Sequence, residues 1–272
     1  MTTNRRSFLK RQLILGSSLM LASNLDSLAM VSRSLNIAGG SNSLNLLCTS
    51  DLTKLSNYCQ TIKNFELSSI NLFAGNISDA TENTLYQLSR INYHAVNFSL
   101  DKRGVNLAAM LSEIKSSNIN FVNCNYGFEN EAMKWNVLPY IIIYSGKTKI
   151  GITGVGAYTN TKGVIVKEPI AALNKIAKYL KNNEDCDKVV CLADLGFNKK
   201  DKLNNLMLAQ ASANVDVIVG AGVTSQQAAA WSYRNIDKQE VLISANNDGH
   251  RPTNLMQLAI SQNTVSFNTK NI

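Results

Sequence analysis

Histidine is the scarcest chemistry-bearing residue of this 272-residue chain: only His94 and His250 are present, which limits any centre that needs several imidazoles. Charged residues make 17% of the chain, well under the usual quarter, and Asn and Ser carry much of the polarity instead. Three prolines, no repeat and no low-complexity block interrupt residues 43–272. There is no CxxC, and the odd number of cysteines leaves at least one thiol unpaired within the chain. The glycine-rich turns at Gly151–Gly156 and Gly220–Gly222 lack a following Gly-Lys-Ser/Thr and are not P-loops. No G-x-S-x-G elbow is present, which removes the serine-hydrolase triad. Zinc-finger and RNA-binding aromatic motifs are missing too, so nucleic acid is not an expected partner, and Trp135 and Trp231 read as packing or rim residues.

An apolar fraction of 45% is enough for a sizeable core. The net charge is +8, of which the first 29 residues hold +3, through Arg5, Arg6, Lys10 and Arg11 against Asp26. The remaining +5 is spread without a dense basic run and reads as a mildly basic, solvated surface. Five cysteines occur, at positions 48, 59, 124, 186 and 191; Cys48 and Cys191 lie in apolar strand-like runs and are expected to be buried thiols. One disulfide among the five would be compatible with export, with the pairing left open.

Residues 1–29 have the layout of an export signal. Asn4-Arg5-Arg6-Ser7-Phe8-Leu9-Lys10 resembles the twin-arginine consensus, with Arg5 and Arg6 as the pair to be read. Leu13–Leu25 is apolar but diluted by Gly16, Ser17 and Ser18, and too short to span a bilayer, which takes about 20 apolar residues. Ser27-Leu28-Ala29 offers a small-x-small cleavage site, so no stable membrane span is expected after cleavage. The expected location is the periplasm, or another compartment reached by the twin-arginine route. The expected organisation is a signal at 1–29, a linker at 30–42 and one domain at 43–272.

Strand-like runs alternate with amphipathic segments, an α/β pattern. Strands are expected at Leu44–Thr49, Ser69–Ala74, Ala95–Ser99, Asn120–Asn123, Tyr140–Tyr144 and Lys149–Val155. Further ones are expected at Lys188–Leu192, Val215–Val219, Val241–Ala245, Leu255–Ile260 and Thr264–Asn268. Helices are expected at Thr81–Ile91, Leu107–Ser116 and Glu168–Lys181, each with apolar residues along one face and the last opened by Pro169. Ser145-Gly146-Lys147-Thr148 between two strands predicts a hairpin, which rules out an all-parallel sheet.

The strand ends carry six landmarks in order. Leu46-Leu47-Cys48-Thr49-Ser50-Asp51-Leu52-Thr53 resembles a strand closing on D-x-H, and Leu72-Phe73-Ala74-Gly75-Asn76 one closing on D-A-G-D. Phe98-Ser99-Leu100-Asp101-Lys102 stands at a G-N-H-E block, and Lys149-Ile150-Gly151-Ile152-Thr153-Gly154 resembles K-I-G-I-x-G. Ala193-Asp194-Leu195-Gly196 resembles S-H-L-G, and Asp216-Val217-Ile218-Val219-Gly220-Ala221-Gly222-Val223-Thr224 resembles D-x-I-x-G-G-H-S-H. Together these resemble the calcineurin-like metallophosphoesterases, closest to the N-terminal domain of bacterial 5′-nucleotidases, over residues 43 to about 262. The resemblance implies an α/β sandwich of two mixed β-sheets flanked by helices.

It also implies two metal ions, which bind the phosphate and supply a hydroxide nucleophile. The positions that should hold them are Asp51, Thr53, Asn76, Leu100, Asp101, Asp194, Gly222 and Thr224, and only Asp51 keeps the family's residue. His94 precedes a strand, at the wrong end for the centre, and His250 aligns with no ligand. The expectation is therefore a catalytically inactive member serving as a binding or scaffold subunit with no cofactor. The alternative is an active phosphoesterase with a rebuilt site, in which Asp51, Asn76, Asp101 and Asp194 hold a single Mg²⁺ or Ca²⁺ through oxygen ligands. In 5′-nucleotidases a second, C-terminal domain grips the base, so a separately encoded domain of that kind, or another envelope protein, is the expected partner.

Overall fold

The computed structural model describes residues 33–37, 43–50, 69–78, 82–100, 105–223, 230–247, 254–261 and 264–271. All lie in one compact unit, Ser32–Ile272.

Two seven-stranded sheets dominate. The first contains β1 (Ser34–Ile37), β8 (Tyr140–Ser145), β9 (Thr148–Gly156), β11 (Lys188–Asp194), β12 (Val217–Val223), β14 (Glu240–Asn247) and β13 (Ala230–Arg234), in that spatial order. The second runs β16 (Thr264–Asn271), β15 (Asn254–Ser261), β2 (Ser43–Thr49), β3 (Ser69–Phe73), β4 (Ala95–Asn97), β5 (Phe121–Val122) and β7 (Val137–Leu138). A small ribbon pairs β6 (Tyr126–Phe128) with β10 (Val164–Val166). Both large sheets are mixed: β9, β11, β12 and β14 are parallel neighbours, while β8–β9, β13–β14, β15–β16 and β15–β2 are antiparallel.

Period-2 alternation sorts the second sheet's side chains into two layers. Leu46, Cys48, Ile70, Leu72, Ala95 and Val122 point inward, onto Ile141, Ile143, Ile150, Ile152, Val190 and Leu192 of the first sheet. Leu47, Phe73, Val96, Phe121 and Val137 point outward, under α1 (Glu82–Arg90), α2 (Leu107–Ser116) and α3 (Glu131–Asn136). Phe98 anchors this outer layer by edge contacts with Phe121 and Phe128, ring centroids 5.8 and 5.6 Å apart. The outer face of the first sheet is covered by α4 (Pro169–Asn182), which buries Leu173, Ile176, Ala177 and Leu180, and by α5 (Asn205–Ala211).

Local chemistry sets the element ends. Glu168 caps α4, its carboxylate accepting from the Ile170 and Ala171 amides, and Pro169 fills the first turn, where no N–H is needed. Asn106, Asn130 and Asn204 cap α2, α3 and α5 in the same way. The expected hairpin is present, with Ser145 opposite Thr148 and Gly146 at φ 59°.

The sandwich of two mixed sheets with helices outside is as expected. The stretch read as a linker differs, since it contains β1. Its Leu35 and Ile37 alternate with Ser34 and Asn36 and pack at the margin of the inter-sheet core, while Ile142 N–H donates to Arg33 C=O. Four residues of alternating polarity suffice for an edge strand when a parallel neighbour is already in place.

Candidate strand-end site

The carboxyl ends of parallel strands are where an α/β fold places its ligand crevice. Here those ends are bound together by side-chain amides. Asn97, which closes β4 and is fully buried, donates from Nδ2 to Ala74 C=O at 3.3 Å in its own sheet. The same nitrogen donates to Val155 C=O at 3.1 Å in the other sheet. Asn125 makes a reciprocal pair with Gly156, the last residue of β9: Oδ1 accepts from its N–H at 2.8 Å and Nδ2 donates to its C=O at 3.0 Å. Asn123 donates to Phe98 C=O at 2.9 Å, while its Oδ1 accepts the Asn125 and Tyr126 amides. In the first sheet, Asn205 accepts from Leu195 N–H at 3.3 Å and donates to Ala221 C=O at 3.1 Å, joining the ends of β11 and β12.

Two glycines admit the close approach. A Cβ at Gly154 would stand 2.3 Å from Val122 O and 2.4 Å from Asn97 Oδ1, and one at Gly156 would stand 2.5 Å from the Tyr126 hydroxyl. Near these strand ends Asn97 Oδ1 and Ser99 Oγ, both fully buried, have no hydrogen-bond partner among the described residues.

Of the eight positions singled out from the sequence, Asp51, Thr53, Asp101 and Thr224 lie outside the described residues. The other four sit at strand ends. Asn76 forms an isolated bridge with Ser99, and its Oδ1 accepts from Ser78 N–H at 2.6 Å, closing a local turn. Leu100 is fully buried in the apolar layer beneath the helices. Asp194 ends β11, half-buried, opposite Gly156. Gly222 lies where the β12–β14 ladder shifts register, between Gly220 and Val223. The hard-cation set is thus represented by Asn76 and Asp194.

These four residues do not fit a two-metal centre. Asn76 is neutral, Leu100 and Gly222 offer no ligand atom, and Asp194 alone brings a carboxylate. Among the described residues, no group of three or more His, Cys, Asp or Glu is placed to hold a metal ion.

His94 lies at the opposite end of β4. Its Nδ1 accepts from Asn71 N–H at 2.9 Å, and burial lowers its pKa below the usual 6.5, so it is a neutral structural acceptor. His250 is outside the described residues. Cys48 and Cys191 are fully buried, and burial pushes the Cys48 thiol up to about 12. Cys48, Cys124, Cys186 and Cys191 are all free thiols. Trp135 is exposed, at the rim of α3. No helix among the described residues is long and apolar enough to cross a membrane.

The amide network is not apparent in the sequence, where Asn97 reads as one strand residue among others. The signal available is asparagine inside otherwise apolar runs, Ala95-Val96-Asn97-Phe98 and Phe121-Val122-Asn123-Cys124-Asn125. A buried amide must find partners, and at a strand end those partners are the neighbouring carbonyls.

No protein-family model and no curated protein matches this sequence. Solved structures do match. The 5′-nucleotidase precursor of Thermus thermophilus superposes with a TM-score of 0.70 at 16% identity, over 84% of this chain and 54% of that one. The NAD nucleotidase of Haemophilus influenzae gives 0.71 at 14%, over 85% of this chain and 50% of that one. A calcineurin-like phosphoesterase of Bacillus subtilis gives 0.55 at 12%, over 85% and 90%. The fold is therefore that of the calcineurin-like phosphoesterases, in the form seen in 5′-nucleotidases. This chain spans about half the length of the two nucleotidases.

Proposed function

We propose that this chain is an exported, 5′-nucleotidase-like protein that has lost phosphoesterase turnover and serves as a binding or scaffold subunit in the cell envelope. The observation that carries the reading is Leu100. Where the resemblance requires an asparagine ligand, an aliphatic side chain is buried in the layer under the helices. Asn76, in the place of a bridging carboxylate, supports it by spending its oxygen on a backbone amide.

Phosphomonoester hydrolysis is among the slowest uncatalysed reactions. A general base alone supplies about 10²–10⁴-fold, far short of what the reaction demands. The fold's usual answer is a metal pair that activates water and neutralises phosphoryl charge, and the described ligand positions do not rebuild one. The partner we propose is a separately encoded C-terminal nucleotidase-type domain or another envelope protein, reached by twin-arginine export.

Purified protein incubated with AMP, p-nitrophenyl phosphate and bis-p-nitrophenyl phosphate, with Mg²⁺, Mn²⁺, Ca²⁺ or Zn²⁺ added in turn, is expected to release no product. Metal-dependent turnover that disappears in Asp51→Ala overturns the proposal in favour of an oxygen-ligand site. Export is read separately: replacing Arg5 and Arg6 by Lys is expected to retain the precursor in the cytoplasm, and undiminished export refutes the twin-arginine reading.

A further inference from the structure

We propose that neutral side-chain amides fasten the two sheets together at their carboxyl ends, so that the folded chain closes this crevice without a cation. The donor set points there. In a metal-bearing crevice, ligands from both sheets are drawn together by the charge they share. Here the cross-sheet bonds run instead from Asn97 Nδ2 to Val155 C=O and, in both directions, between Asn125 and Gly156. Cys124 N–H adds a backbone bond to Gly154 C=O at 2.8 Å. Asn97, Asn123, Asn125 and Gly156 are all buried. Unmaking any of these bonds therefore leaves a backbone carbonyl or amide without water to replace the lost partner.

Asn97 is the centre of the arrangement because both hydrogens of one amide are used, one in each sheet. Its two acceptors are carbonyl oxygens, which demand a donor. A carboxylate in the same position would set oxygen against oxygen. This requirement separates a clamp from a ligand site: a cation would be served by aspartate at this position, whereas the clamp is broken by it.

The test is thermal unfolding of the full chain and its variants. Wild-type protein is expected to melt at the same temperature with EDTA as with millimolar Mg²⁺, Ca²⁺, Mn²⁺ or Zn²⁺. Asn97→Ala is expected to melt at least about 5 °C lower. Asn97→Asp is expected to lose more at pH 7.5 and to recover part of the loss towards pH 5, where protonation returns one donor. Asn125→Ala is expected to show a loss of the same kind, and it carries the test should Asn97→Ala not fold. Among the described residues, Asn97 Oδ1 and Ser99 Oγ have no hydrogen-bond partner and are the oxygens a cation would use. A divalent ion that raises the wild-type melting temperature, or that rescues Asn97→Asp, overturns the proposal. So does an Asn97→Ala or Asn125→Ala protein that melts with the wild type. Phosphoesterase turnover without stabilisation by metal would count against the proposed function and leave this inference standing.

Discussion

Replacing three glycines by alanine should separate three mechanisms that a sequence comparison would merge. At Gly154 the added methyl would lie 2.3 Å from Val122 O, 2.4 Å from Asn97 Oδ1 and 3.0 Å from Val122 C, so it meets backbone of the opposite sheet. Backbone of a central strand cannot step aside without moving the sheet, and overpacking of this kind costs about 1–3 kcal/mol or more. Disturbing the Asn97 bonds adds roughly another 1 kcal/mol. At Gly151 the contacts are also under 3 Å, at 2.8 and 2.9 Å, but they are the two terminal methyls of Leu180 on α4, and a rotamer change relieves most of the clash. At Gly196 nothing lies within 4 Å, and the cost is that of holding a side chain at φ +70°, about 1–2 kcal/mol. In a domain of this size 1 kcal/mol moves the midpoint by about 2–4 °C. Gly154→Ala is therefore expected to melt roughly 5–15 °C below wild type, Gly196→Ala about 2–8 °C below, and Gly151→Ala least of the three. Differential scanning calorimetry at one pH and salt decides the order. A Gly154→Ala protein at least as stable as Gly151→Ala would refute the claim that the sheets meet backbone to side chain at the strand ends.

Restoring the ligand type at position 100 should harm the protein without helping chemistry. Leu100→Asn loses buried apolar contact and strands an amide among Phe98 and its neighbours, a loss of about 2–5 kcal/mol in urea unfolding, with no gain of phosphatase activity; a stable variant that binds manganese would contradict the burial of this site. His94 should make stability fall with acid. Its folded pKa lies below the usual 6.5 through burial, so stability is full above about pH 6.5, and as pH falls below that value the unfolded chain takes up the proton first. The contribution is lost as pH drops towards the folded value, and protonation also forfeits the acceptor for Asn71 N–H. Urea midpoints compared between wild type and His94→Asn should diverge between pH 7 and pH 5, with the wild type losing more; parallel curves would show that His94 does not titrate differently on folding.

Much of this fold is written in short-range patterns, and some is not. Lys188–Asp194 is legible because a buried central strand demands apolar residues on both faces, and Ser69–Phe73 through the β-branched and aromatic residues of a short run. The helix at 107–116 is legible to its ends because Asn106 caps it and its apolar residues keep one face. Helices α3 and α5, of six and seven residues, carry too few periods to stand out, although the capping residues Asn130 and Asn204 are usable start signals. The β6–β10 ribbon is three residues on each side and exists because Val164–Val166 finds Tyr126–Phe128 across the fold, which no local window contains. The strand read at Val215–Val219 begins at Val217, because Asp216 is spent at the sheet margin: its carboxylate accepts from Val189 N–H at 2.7 Å and pairs with Lys181 at 2.9 Å. The site is legible in its location at the strand ends, but not in the amides that bind those ends, since partners for Asn97 are fixed only by the sandwich.

The motif letters that carry the resemblance divide into two physical kinds. Gly75, Gly151, Gly154 and Gly220 stand where a Cβ would meet Ser50 O at 1.9 Å, Leu180, Val122 O and the Phe197 ring respectively. Gly75 and Gly154 are set by the close approach of neighbouring backbone, and Gly151 and Gly220 by side chains packed over the strand, whatever chemistry happens at the strand end. The aliphatic letters between them fill the inter-sheet layer and answer to the same constraint. Ligand letters are different in kind: Asn76 and Asp194 stand at strand ends, whereas position 100 is filled by a leucine built into the buried layer under the helices. A leucine at position 100 and a neutral Asn76 are compatible with the sheets staying in place, provided the strand ends keep some other tie. The bonds of Asn97 and Asn125 to the opposite sheet supply that tie with neutral groups. A fold assigned from the first kind of letter thus says nothing about turnover.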